Sequence, residues 1–330
     1  MKTSSDPPLL DQYGALLGKP SQIQDYHYEE IAECELPLID LGGLRSCNDN
    51  VRQDCVATIA RASSEWGFFQ VVNHGISSKL LGEMRREEIK VFETPFVKKA
   101  TCGLLNNSYT WGNPTATSLN HFFWSEAFHI PLTKISDEAC FGEFNTLREV
   151  LQRFAAATSS IAQLIAGVLA ENLGQPEELF EEICNETTCF LRLNHYPKCP
   201  KPGIFGLAPH TDSDFLTILH QDQVGGLQLM KDSKWVAVKP NQDALLVNIG
   251  DLFQAWSNNE YKSVEHKVVS NGKVERYSIA YFLCPSYDSL IKSCREPSIY
   301  RKFTFGEYRK QVQEDVKKTG QKVGLSRFIL

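Results

Sequence analysis

Between residues 189 and 283 the sequence breaks into short apolar runs punctuated by Pro and Gly, and this texture constrains the fold more than any other feature. FLRLNHY, DFLTILH, GLQLM, KWVAVKP, ALLVNIG, EHKVVS and YSIAYFL are all of strand length. About seven such strands predict an antiparallel sandwich or barrel. The preceding half is mixed. LPLIDL (36–41) suits a short strand, and residues 51–66 carry Val51, Cys55, Ile59 and Ala62 at helical spacing with Gly67 where a C-cap would stand. FFQVVN (68–73) reads as a strand, after which Ser77 or Ser78 caps a helix that Pro95 stops. Arg85, Arg86, Glu87 and Glu88 read as the solvated face of that helix. Residues 147–173 form the longest helical pattern, ended by Gly174 and expected to serve as scaffold, whereas residues 1–33 read as a polar arm without a strong pattern.

Composition narrows the function classes. A chain of 330 residues, 42% hydrophobic and 22% charged, can form one large domain or two closely joined ones. Its net charge of -6 gives no electrostatic footprint for nucleic acid or an anionic membrane, so a small molecule is the expected partner. The opening MKTSSDPPLLDQYG has neither an apolar core nor a cleavage site, so the expected location is the cytosol, with nuclear access open, and not the secretory route. The most apolar helical stretch, residues 161–170, is interrupted by Gln163 and falls short of the roughly 20 residues of a membrane span. Ten scattered cysteines without a CxxC pair are expected as free, mostly buried thiols. Zinc-finger spacing is absent as well, so any metal site has to be built from His and carboxylate.

Three His-x-acid pairs occur: His27 with Glu29, His210 with Asp212, and His220 with Asp222. With 8 His and 40 acidic residues, roughly one such pair is expected by chance. Residues two apart on a strand share a face, so His210 and Asp212 could supply two ligands to one ion. A distant imidazole such as His266 would complete the two-histidine, one-carboxylate set of non-haem Fe(II) oxygenases, with three metal positions left open. Periodicity alone does not choose between this pair and His220 with Asp222.

His266 and Arg276 lie in two strand candidates separated by Asn271-Gly272, a hairpin signal that predicts neighbouring strands. Arg276 and Ser278 share a face by the same alternation. A buried guanidinium needs an anion. A protein carboxylate would serve, and so would a ligand carboxylate gripped by guanidinium and hydroxyl. The aromatic segment containing Tyr109, Trp111, Phe122, Phe123, Trp124 and Phe128 either seals a core or lines an apolar ligand pocket.

Taken in order, WGFFQVVNHG (66–75), NHYPKCP (194–200), His210-x-Asp212, GGLQ (225–228), NIGD (248–251), His266 and Arg276-x-Ser278 resemble the plant Fe(II)- and 2-oxoglutarate-dependent dioxygenases over essentially the whole chain. The resemblance implies a mainly β fold with supporting helices: a double-stranded β-helix (jelly-roll) core, a helical N-terminal region and a long scaffold helix. It divides the chain into an arm (1–33), an N-terminal α/β region (34–180), the jelly-roll core (181–290) and a C-terminal helical segment (291–330). It implies Fe(II) on His210, Asp212 and His266, and 2-oxoglutarate on Arg276, Ser278 and Tyr196 with Asn194 beside them. Arg276 is also the implied catalytic residue, O2 the oxidant and ascorbate a supporting reductant. His220 with Asp222 is assigned to structure, as are His27, His74, His121, His129 and His195. Gly225, Gly226 and Gly250 are read as turn glycines, since no phosphate-loop pattern surrounds them.

WSEAFH (124–129) and VQEDVKKTG (312–320) are similar to the gibberellin 2-oxidases that act on C20 precursors such as GA12 and GA53. The resemblance implies 2β-hydroxylation, which inactivates the hormone or its precursor. Tyr109, Trp111, Phe128, Phe282 and Ser286 are the expected substrate wall. That class usually has Arg, Gln and a small residue where this chain has His195, His121 and Phe123. The competing readings are oxidation of another gibberellin position or a flavonoid-like molecule, and a non-enzymatic jelly roll that holds a hydrophobic acid.

Overall fold

In a computed structural model, which describes residues 6–17, 31–101, 104–113, 116, 122–201 and 203–330, the apolar runs become the strands of two facing sheets. In chain order these are β1 (Glu33–Cys34), β2 (Leu38–Asp40), β3 (Phe68–Val72), β4 (Tyr109–Trp111), β5 (Glu126–Pro131), β6 (Phe190–Tyr196) and β7 (Phe205–His210). They are followed by β8 (Leu216–Gln221), β9 (Leu227–Lys231), β10 (Lys234–Val238), β11 (Leu245–Ile249), β12 (His266–Val269) and β13 (Arg276–Leu283). The smaller sheet runs β1-β10-β9-β12-β7 and the larger β2-β3-β11-β8-β13-β6-β5-β4. From β6 to β13 the chain passes repeatedly between the two sheets, which is the jelly-roll winding. Strands from the region 34–180 extend the larger sheet at both edges.

Strand alternation sorts the larger sheet into two faces. On β13, Tyr277, Ile279, Tyr281 and Leu283 enter the core beneath the helices, while Arg276, Ser278, Ala280 and Phe282 face the space between the sheets. On β6, Leu191 and Leu193 point to the helices, and Arg192, Asn194 and Tyr196 point inward. The helix Asn145–Asn172 covers the apolar face with Leu147, Val150, Leu151, Phe154, Ile161 and Ile165, a stripe at helical spacing. Each such fully buried side chain contributes about 1.5–3 kcal/mol of hydrophobic stabilisation. Leu173 caps the helix, and Gly174 follows with φ 72°. At 28 residues it is long and apolar enough by composition to cross a membrane, which the stretch 161–170 alone is not; 61% of its most apolar window is buried within this protein.

The sequence reading needs four further corrections. Asn271-Gly272 does not close a hairpin: β12 pairs with β7 and β9, whereas β13 pairs with β6 and β8, so the turn carries the chain from one sheet to the other. Asn271 Oδ1 accepts the N–H groups of Lys273 and Val274, an Asx turn that reverses the chain without fixing the next strand's partner. Second, β7 stops at His210, so Asp212 lies on the connection to β8 and not on a strand. Third, Glu88 is buried and Arg85 reaches across to Asp222 (3.0 Å), so of the charged run only Arg86 is exposed. Fourth, the arm contains a helix, Leu9–Leu17, that buries Leu9 and Tyr13 one turn apart, with Tyr13 against Phe122. Ser77 caps the helix Ser78–Phe92 as expected, accepting from Leu80 N (3.2 Å), and the nine described cysteines are free.

Candidate active site

His210, at the end of β7, stands directly opposite His266, at the start of β12, in the cross-strand register. Asp212 swings back from the connection beyond β7, so that ligand atoms of all three residues lie within 4.8 Å of one another. Asp212 Oδ1 is 3.5 Å from His210 Nε2 and 3.7 Å from His266 Nε2. Each imidazole donates its other nitrogen to a backbone carbonyl two residues back, His210 Nδ1 to Ala208 (2.8 Å) and His266 Nδ1 to Val264 (3.1 Å). These bonds orient the rings so that both Nε2 atoms face Asp212 Oδ1.

The carboxylate is oriented as firmly. Thr217 Oγ1 and Asn248 Nδ2 both donate to Asp212 Oδ2 at 2.7 Å, which leaves Oδ1 to face the imidazoles. Burial opposes ionisation of Asp212, but His266, His210 and the Asn248 amide outweigh it and hold the carboxyl well below its usual range. Burial, with His210 beside it, pushes His266 down to about 4, so at neutral pH it is an uncharged donor. Two imidazoles and one carboxylate converging from one side fit Fe(II). Lys322, beyond the C-terminal helix Phe305–Thr319, ties down the loop by donating to Thr211 O (2.9 Å) and Ser213 Oγ (2.8 Å) while pairing with Asp251 (2.6 Å).

At the β6 end of the same space, Arg276 is 2% exposed, yet no carboxylate pairs with it among the described residues. Its Nη2 donates to Gln221 Oε1 (2.9 Å) and its Nη1 to Ser278 Oγ (3.4 Å), and its guanidinium lies over the Tyr196 ring at 4.8 Å. Arg276 Nε and Gln221 Nε2 are buried without partners. A buried cation flanked by orphaned donors calls for an anion from outside the protein, and one carboxylate of 2-oxoglutarate fits it. Gly206 makes room for this cradle, since a Cβ there would fall 2.4 Å from the Tyr196 ring.

Both sets line one cavity of about 430 Å³, together with Asn194, Phe190, Phe282, Arg192 and His129. Asn194 accepts from Arg192 Nε (2.9 Å) and donates to Ser278 O (3.4 Å), so it braces two strands. Of the expected substrate wall, only Phe282 lines this cavity. Phe128 is fully buried beneath the helices because β5 alternates, and His129, one residue on, is the one that faces inward. Tyr109 donates to the buried Glu126, and Trp111 packs on Tyr13 and Phe96. Ser286, beyond β13, accepts from Asn185 away from the cavity. His129, expected to be structural, instead lines the cavity.

The other histidines lie elsewhere. His195 points to the opposite face of β6, hydrogen-bonded to Glu126 Oε1 (2.7 Å) and stacked on Tyr277 (4.3 Å). Glu126 in turn pairs with the fully buried Lys99 at 2.8 Å. His220 and Asp222 bind no common site: Asp222 accepts from Tyr277 N (2.7 Å) and Arg85 (3.0 Å). The residue between them, Gln221, is the one that holds Arg276. His27 and His121 lie outside the described residues. Sequence reasoning missed Thr217, Gln221, Arg192 and Lys322; Arg192, which shares a strand face with Asn194 and Tyr196, and Arg309 and Val312, which follow cavity-lining Phe305 at helical spacing, left patterns that could have been read.

Comparison with known proteins agrees with this geometry. Residues 187–285 match the 2OG-Fe(II) oxygenase superfamily, and residues 36–147 match the non-haem dioxygenase in morphine synthesis N-terminal family. The chain is 56% identical to Gibberellin 2-beta-dioxygenase 6 of Oryza sativa subsp. japonica, over 98% of this chain and 96% of the relative. It is 53% identical to Gibberellin 2-beta-dioxygenase 8 of Arabidopsis thaliana, over 98% of each chain. Among solved structures, JOX2 in complex with 2OG, Fe and JA is 34% identical with a TM-score of 0.72 over 85% of each chain. The rice dioxygenase for auxin oxidation is 29% identical with a TM-score of 0.74, over 89% of this chain and 100% of that one. This chain belongs to the 2OG-Fe(II) oxygenase superfamily and is an Fe(II)- and 2-oxoglutarate-dependent dioxygenase.

Proposed function

We propose that this enzyme hydroxylates gibberellins at the 2β position, a reaction that inactivates them. The observation that carries this reading is the match along nearly the whole chain to gibberellin 2-beta-dioxygenases at up to 56% identity. Bound Fe(II) and 2-oxoglutarate supply the oxidation of an unactivated C–H bond by O2, and this chain supplies position. His210, Asp212 and His266 would hold the metal and Arg276 with Ser278 would hold a carboxylate of the co-substrate, while Asn248 and Thr217 keep Asp212 from rotating away. Phe190 and Phe282, stacked at 4.3 Å, give the cavity an apolar side suited to a diterpenoid skeleton.

Within the gibberellins, C20 precursors such as GA12 and GA53 are the proposed substrates. The similarity of WSEAFH (124–129) and VQEDVKKTG (312–320) to the class acting on C20 gibberellins supports this choice, and His129 and Val312 of these stretches line the cavity. The test is product analysis on matched C20 and C19 gibberellins. The reading requires 2β-hydroxylated products, formed faster from the C20 series; hydroxylation elsewhere contradicts the function, and a C19 preference contradicts the substrate class.

A further inference from the structure

The cavity has a second cationic pole. Arg192, on β6, and Arg309, on the C-terminal helix, both line it, and among the described residues neither forms an ion pair. Arg192 Nε donates to Asn194 Oδ1 (2.9 Å), and Arg309 Nη1 donates to the Tyr287 hydroxyl (3.0 Å) with its guanidinium over the Tyr287 and Phe305 rings. Both therefore have donors left over. His129 stands beside Arg192 in the cross-strand register and packs on Phe190 at 4.1 Å. Burial, together with the charges of Arg192 and Arg309, pushes His129 down to about 4, which leaves a neutral ring able to donate one hydrogen bond.

This pole is separate from the co-substrate cradle. Arg276 pairs in register with Tyr196, and Arg192 lies four residues before Tyr196 on β6, opposite Ala280. At about 3.4 Å per residue that is about 14 Å along the strand. The small side chain of Ala280 leaves the space in front of Arg192 open, and Phe190, Phe282, Phe305 and Val312 surround it with apolar surface. Two guanidiniums without acidic partners at the rim of an apolar chamber match an apolar molecule that carries a carboxylate.

Resting on the gibberellin reading above, we infer that Arg192 and Arg309, with His129, form the anchor for a carboxylate of the substrate and so set which end of the skeleton faces the metal ligands. The test is anaerobic calorimetric titration of the full-length protein, loaded with Fe(II) and 2-oxoglutarate, with a C20 gibberellin and with its fully methylated ester. Wild type is expected to bind the acid at least about tenfold tighter than the ester, and Arg192→Met and Arg309→Met each to bring the two within about threefold. Arg192→Lys retains part of the preference, since it keeps the charge and loses the planar fork. Should Arg192→Met fail to fold, Arg192→Lys and the half-buried Arg309→Met carry the comparison. Acid and ester bound alike by wild type, or an undiminished preference in the Met variants, overturns the anchor alone. A loss of 2-oxoglutarate affinity with the acid preference intact overturns it too, because Arg192 would then serve the co-substrate. A wild type that binds neither acid nor ester overturns the gibberellin reading and the anchor with it.

Discussion

His210 and His266 face each other across the β7–β12 ladder with ring centroids 4.3 Å apart, although 55 residues of chain separate them in the sequence. The jelly-roll winding converts that separation into one rung of a ladder. Removing either imbalances the set in the same way, so His210→Ala and His266→Ala should each abolish Fe(II)-dependent turnover. His220→Ala should leave iron stoichiometry at one per chain. Anaerobic metal titration decides, and loss of iron from the His220 variant would show that the wrong histidine was chosen.

Asn248 tests whether the orientation of Asp212 matters apart from its charge. Asn248→Leu removes a 2.7 Å bond to Asp212 Oδ2 and leaves the carboxylate in place. Metal affinity should fall by about 10- to 100-fold, the usual cost of losing a partner that orients a ligand. An unchanged affinity in a competition titration would mean that Thr217 alone holds the carboxylate.

Arg276→Lys keeps a positive charge and gives up the fork that spans Gln221 and Ser278. The lost charge-assisted bond is worth about 1.5–3 kcal/mol, so the KM for 2-oxoglutarate should rise roughly 10- to 150-fold. Steady-state kinetics at saturating gibberellin give the number. A KM near that of wild type would remove Arg276 from the co-substrate cradle.

Glu88 links stability to pH. Burial raises its carboxyl from 4.5 to about 8 against the opposing charge of Arg85. The folded-state value lies above the unfolded one, so the folded protein holds the proton more tightly. This contribution is fully present below about pH 4.5 and is lost as pH rises through about 8. Glu88→Gln cannot ionise, so relative to wild type it should gain stability between pH 6 and 9, on the order of a few kcal/mol. Denaturant unfolding at the two pH values measures the gain; equal differences at both would place the ionised carboxylate comfortably in its pocket with Arg85.

The Arg276 and Ser278 half of the site was legible in local periodicity, whereas the ordered motifs, and not periodicity, singled out His210 with Asp212. Alternation placed Arg276 and Ser278 on one face, and the apolar runs became strands within a residue or two of their expected limits. What failed were questions of partnership. The Asn271-Gly272 turn looks like a hairpin because its chemistry concerns only the turn, and nothing local says that β13 will pair with β6 and β8. Asp212 seemed to share a strand with His210, but the strand ends between them. Phe128 and His129 differ by one position, and only the register of β5 against β6 decides which of them enters the cavity. Gln221 was hidden for another reason: its role depends on Arg276, a residue 55 positions away on a neighbouring strand.

The central claim is that this chain couples 2-oxoglutarate oxidation to gibberellin hydroxylation at the His210, Asp212 and His266 centre. The most direct measurement is succinate formed by the Fe(II)-loaded protein with and without a gibberellin, alongside the amount of 2β-hydroxylated product. The account predicts that gibberellin raises succinate formation well above the background and that one succinate accompanies each hydroxylation. Succinate formation that is indifferent to gibberellin, or gibberellin bound without any succinate, would contradict it.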